Sequence, residues 1–74
     1  MPLLNRITFD PDLCGGRPCI RGYRIRVQDV LELLADNMTS SEIVEQLPDL
    51  EIEDVQACLE FAAQRIGHPH LIGA

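Results

Sequence analysis

Gly15–Val27, GGRPCIRGYRIRV, is the stretch on which the reading of this fold turns. It carries Arg17, Arg21, Arg24 and Arg26, interleaved with three glycines and one proline. Glycine and proline punctuate a backbone sharply, so a long regular element is excluded here. Cys19, Ile20, Tyr23, Ile25 and Val27 are types that suit a pleated, half-buried surface. In an extended chain Ile25 and Val27 share one face and Arg24 and Arg26 the other. The stretch therefore reads as a short β-arm that turns at Gly22 and runs straight into a helix.

On its N-terminal side, Ile7-Thr8-Phe9 alternates apolar and polar residues, which predicts a short strand ending at Asp10-Pro11. Turn signals continue to Gly16, and a second extended piece follows at Pro18–Arg21. Pro18 cannot donate to a strand ladder, which places it at an edge. On the C-terminal side everything reads as helix. Val27, Val30, Leu31 and Leu34 recur on one helical face, predicting a helix over about 27–36, closed by a left-handed Asn37. Thr39 and Glu42 form a capping box and Met38 and Ile43 a hydrophobic staple, so a second helix starts at Thr39. Pro48 stops it. Ile52, Val55, Cys58, Leu59, Ala62 and Ile66 form a core stripe that predicts a third helix over 52–66, ending at Gly67. The expected core is Val30, Leu31, Leu34, Ile43, Leu47, Val55, Leu59 and Ala62.

The length of 74 residues allows one small domain, and a core of that size is marginal without help such as oligomerisation. Three cysteines make an odd count with no framework spacing, so reduced thiols and a cytoplasmic setting are expected. There is no secretory leader pattern and no run long enough to span a membrane. The net charge of −6 is unevenly placed. Residues 1–28 hold five arginines and two aspartates, whereas residues 29–74 hold ten acids and one arginine. Opposed surfaces of this kind can steer a charged partner or dock one copy on another. Equally, the arginines can pair with acids of their own chain.

The runs Phe9-Asp10-Pro11, Cys14–Val27, Ser41-Glu42-Ile43, Leu47–Leu50 and Asp54–Ala62 resemble the bacterial domain-of-unknown-function family 433. The resemblance spans about residues 7–63. It implies a mainly α fold: a short N-terminal β-arm (1–26), a three-helix homeodomain-like, helix-turn-helix unit (27–67) and a short tail (68–74), all one domain and usually a homodimer. It also implies the role of an antitoxin that binds and inhibits a PIN-like nuclease toxin. Tyr23 stands where Thr is expected, Arg26 where Pro is frequent, and Glu51 where a Thr or Ser cap is usual. The last departure weakens the start of the third helix.

The residues by themselves argue against catalysis. No serine or cysteine has a nucleophile's surroundings, and the glycine-rich stretch lacks the Lys-Ser/Thr of a phosphate loop. Cys14 and Cys19 are too widely spaced for a usual ligand pair, and His68 and His70 are remote in sequence, so no metal, cofactor or small-molecule substrate is expected. Macromolecular partners are expected instead. Ile20, Tyr23 and Ile25 are the expected dimer contacts. Glu53, Ala57, Glu60 and Phe61, on the outer face of the third helix, are the expected toxin contacts, although Phe61 can equally pack on the arm and the acids can be a solvated face. Operator DNA is the alternative partner. The acidic third helix would repel phosphate, which leaves Arg17, Arg21, Arg24 and Arg26 of the arm as the nucleic-acid contacts.

Overall fold

The computed structural model describes residues 2–67. A single 3-10 turn, Leu3–Arg6, leads into strand β1 (Ile7–Asp10), which pairs antiparallel with β2 (Leu13–Ile20). Helices α1 (Val27–Ala35), α2 (Ser40–Gln46) and α3 (Ile52–Ile66) follow. In the ladder Ile7 faces Ile20, Thr8 faces Cys19 and Phe9 faces Pro18, but Asp10 already faces Leu13. The four residues Cys14–Arg17 therefore have no partner on β1 and bulge out. Cys14, Gly15 and Gly16 all take positive φ there, which only glycine adopts without strain. A second reversal at Arg21 (φ 46) and Gly22 (φ 77) returns the chain alongside β2, so that Arg26 bridges Cys19. The Ile20 amide donates to the Ile25 carbonyl at 3.0 Å and the Tyr23 amide to the Ile20 carbonyl at 2.8 Å.

The helix ends follow local chemistry. Thr39 and Glu42 cap α2 reciprocally: the Glu42 amide donates to Thr39 Oγ1 and the Thr39 amide to Glu42 Oε1. Asn37 takes the left-handed conformation (φ 69) that closes α1, and Gly67 (φ 92) follows α3. At the start of α1, Asp29 accepts from the Arg26 amide and from the Arg26 guanidinium.

The core corrects two expectations. The chain is rich in helix and opens with a β-arm, as expected, but it is not a homeodomain-like helix-turn-helix bundle with that arm appended. It is a two-stranded antiparallel hairpin followed by three helices, and the hairpin supplies Ile7, Cys19 and Ile20 to the same core as Val27, Val30, Ile43, Leu50, Val55, Ala57 and Cys58. The reason is that Ile7 and Ile20 are cross-strand partners on the face turned to the helices. Leu31, Leu34 and Leu47 are partly buried against that core, as expected, but Leu59 is 48 % exposed. The third helix is rotated from the expected stripe: Asp54 and Ala57 lie inside, while Ile52 and Ile66 lie outside with Leu59. A third correction concerns the thiols, since Cys14 and Cys19 are joined as a disulfide and Cys58 is the free, buried cysteine among the described residues.

This inversion is directly measurable. Ile43→Ala, at a fully buried site, is expected to lower stability by about 2–5 kcal/mol. Leu59→Ala is expected to lower it less, by about 1 kcal/mol, because about half of that side chain already lies in water. Urea denaturation of the two variants side by side checks the order.

Candidate functional site

The rotation of α3 begins with one carboxylate. Asp54, at the third position of α3, is completely shielded from solvent. Its Oδ1 accepts from Arg6 Nη1 and from Arg21 Nε, both at 3.0 Å. Its Oδ2 accepts from Arg21 Nη2 and from the Glu51 amide, both at 2.8 Å. Arg21 thus grips the group with two parallel N–H donors, the geometry for which a guanidinium is suited. Its Nη2 also donates to the Asp49 carbonyl at 2.9 Å, and Arg6 reaches Glu51 at 2.7 Å. Burial disfavours the Asp54 charge, but the Arg21 bonds, the Glu51 amide and Arg6 outweigh it and hold the carboxyl below its usual range. The helix N-terminus favours the same charge. Neither Arg6 nor Asp54 stood out in the sequence, because the partners lie 48 and 33 residues apart. The available signal was an acid in the first turn of α3 beside a weak N-cap, Glu51.

The arm's arginines divide into two pairs. Arg21 is bound to Asp54, and Arg26 to Asp29 at 2.7 Å. Arg26 is the main reason that the Asp29 carboxyl is held below its usual range. Arg17 and Arg24 are exposed and have no carboxylate partner among the described residues. Of the expected dimer contacts, Ile20 has no exposed surface and lies in its own chain's core, whereas Tyr23 is 37 % exposed beneath Arg21 and Ile25 is half-buried.

Of the expected toxin contacts, Ala57 is fully buried, Glu53 and Glu60 are exposed, and Phe61 is half-buried. Phe61 packs on Phe9 of β1 with ring centroids 5.8 Å apart, and the Arg65 guanidinium lies over its ring at 5.0 Å. The intramolecular reading of Phe61 therefore holds for one edge of the ring. Its remaining edge borders an apolar groove lined by Pro18, Leu31, Ala62 and Ile66. Beside it runs a feature the sequence reading placed in the core. Ile52, Leu59 and Ile66 recur every seven residues, so they form one line along α3, and each is more than a third exposed. Glu53 and Glu60 follow that line one residue on.

Among the described residues no helix is long and apolar enough to cross a membrane, and no three His, Cys, Asp or Glu side chains come together as a metal set. His68 and His70 lie outside the described residues. Cys58 has a thiol pushed up to about 12 by burial and by the Asp54 charge, which makes it chemically inert.

The charge of Asp54 gives a pH-dependent prediction. Its native pKa is lowered, so its stabilisation is complete above the free-carboxyl range near about 4 and disappears as pH falls through the native value. Asp54→Asn is expected to lower stability by about 3 kcal/mol at neutral pH, the low end for a broken buried pair because both arginines are part-exposed. The gap to wild type should narrow in denaturant titrations carried below pH ~4 and close only below the native value. A gap that stays constant would show that shape, not charge, matters at this position.

The family model for "Protein of unknown function (DUF433)" matches residues 7–62. "Uncharacterized protein y4eO" of Sinorhizobium fredii (strain NBRC 101917 / NGR234) is 32 % identical over 56 residues, which is 76 % of this chain and 25 % of that protein. The chain thus spans a quarter of the length of the curated relative it matches. No solved structure matches it. The matched residues run from the start of β1 through most of α3, taking in Arg21 and Asp54, and this chain belongs to the DUF433 family.

Proposed function

We propose that this domain is a non-catalytic binding module, and that it is the antitoxin of a toxin–antitoxin pair, docking the outer face of α3 on a PIN-like nuclease. The observation that carries this reading is the exposed line Ile52, Leu59 and Ile66 flanked by Glu53 and Glu60. Isolated apolar residues are ordinary on a surface, but an ordered apolar line with carboxylates beside it supplies an interface core and a charged rim together. A nuclease that handles RNA presents a cationic, metal-binding groove. Carboxylates are the complement of such a groove, and complementary potentials speed encounter and set register. The exposed edge of Phe61 adds an aromatic anchor at the C-terminal end of the same helix. In this reading the module also pairs with a second copy through Tyr23 and Ile25, the arm residues that keep accessible surface.

The test is co-purification with the product of the adjacent open reading frame. Leu59→Arg combined with Glu60→Arg is expected to weaken that complex by more than about tenfold, the effect of a single moderate hot spot. Far-ultraviolet circular dichroism should be unchanged, since both residues are exposed. Undiminished co-purification would reject the α3 face as the docking site.

A second reading is supported by Arg17 and Arg24, which are exposed and have no ion-pair partner among the described residues. In it the domain is a small transcriptional regulator that touches operator phosphates through the arm. Arg21 and Arg26 are already engaged by Asp54 and Asp29, so this reading rests on two arginines rather than four. Arg17→Ala with Arg24→Ala is expected to abolish a low-salt band shift and to flatten its salt dependence. The absence of any shift with the unaltered protein would remove the reading.

A further inference from the structure

We infer that Cys14 and Cys19 are a reversible dithiol–disulfide pair, with Cys14 as the attacking thiol and Cys19 as the resolving one. The inference is independent of the docking reading above. The pair closes the bulge of β2, and its Cα atoms lie 6.9 Å apart, at the upper limit of what a bridge spans. The two sulfurs differ in access: Cys14 is half-buried at the bulge, while Cys19 is 1 % exposed. Cys19 stays in place whether or not the bridge exists, because Thr8 and Arg26 flank it on both sides and Thr8 Oγ1 donates to its carbonyl at 3.4 Å. Cys14 is held differently. It takes a left-handed conformation (φ 55) and is followed by Gly15 and Gly16, so the bulge can change shape when it is released.

The bridge contributes less to the fold than one closing a long loop would. It closes a loop with a sequence separation of five, and the constraint that a cross-link puts on the unfolded chain shrinks with the loop. Staples in small domains close longer loops between elements, whereas this one sits within a single strand. What it governs is the bulge, which carries the exposed Arg17. The chemistry balances with a disulfide such as oxidised glutathione as the oxidant. The Cys14 thiolate attacks one glutathione sulfur, forming a mixed disulfide and releasing one glutathione. The Cys19 thiolate then attacks Cys14 Sγ, forming the internal bridge and releasing the second glutathione. The two thiol protons leave with the two glutathiones.

The full chain is equilibrated in glutathione buffers from fully reduced to fully oxidised, quenched, alkylated in denaturant so that buried thiols also react, and mapped by mass spectrometry. Cys14 and Cys19 should lose alkylation together as the buffer becomes oxidising and regain it on return to reduced glutathione. Cys58 should stay labelled throughout, as the control thiol that does not pair. Cys19→Ala is expected to accumulate glutathione on Cys14, and Cys14→Ala to leave Cys19 as a free thiol. A bridge that persists in excess reduced glutathione would overturn the inference, since the pair would then be a fixed staple. Thiols still alkylated in oxidised glutathione, or cross-linked chains on a non-reducing gel, would overturn it as well.

Discussion

The structure depends on a carboxylate that cannot be left alone. Asp54 is fully shielded, and an isolated charge at such a site is strongly unfavourable. It is tolerated because four N–H donors converge on it, from Arg6, Arg21 and the Glu51 amide. Those donors fix where α3 must sit. The helix turns its Asp54 side inward, toward the hairpin, and the apolar line at Ile52, Leu59 and Ile66 is carried outward.

That rotation links stability to function. The basic arm and the acidic body, opposed in sequence, are in large part joined inside one chain through Arg6, Arg21 and Arg26. What remains for partners is narrower than the charge counts imply. It comprises a carboxylate-edged apolar line on α3, an aromatic edge at Phe61, and the arginines at 17 and 24. The proposed docking surface is thus a by-product of the ion pair that anchors the helix.

Features governed by neighbours in sequence were legible. The Thr39–Glu42 box, the left-handed Asn37, the turn at Gly22 and the 52–66 bounds of α3 each depend on a few adjacent residues. Features governed by distant partners were not. The role of Asp54 needs Arg6 and Arg21, and periodicity counts an aspartate as a surface residue. The same blindness put Leu59 inside and left Ala57 on the outer face, because a stripe of apolar types does not register which side the hairpin occupies. The bulge at Cys14–Arg17 was hidden for another reason. It arises from pairing register, in which Phe9 meets Pro18 while Asp10 meets Leu13; the turn signals running to Gly16 announce a break in the strand but not its register. Of the expected contacts, the exposure of Glu53, Glu60, Arg17 and Arg24 was readable from type, whereas the burial of Ile20 and Ala57 follows from tertiary packing.

The long span of the Arg6–Asp54 contact also has a consequence for biosynthesis. During translation the hairpin emerges first, with Arg6 and Arg21 facing solvent, and their acceptor arrives 48 and 33 residues later. The two-stranded piece is too small to hold itself together in water while it waits. The ion pairs of Asp54 can therefore form only after the first turn of α3 has been made.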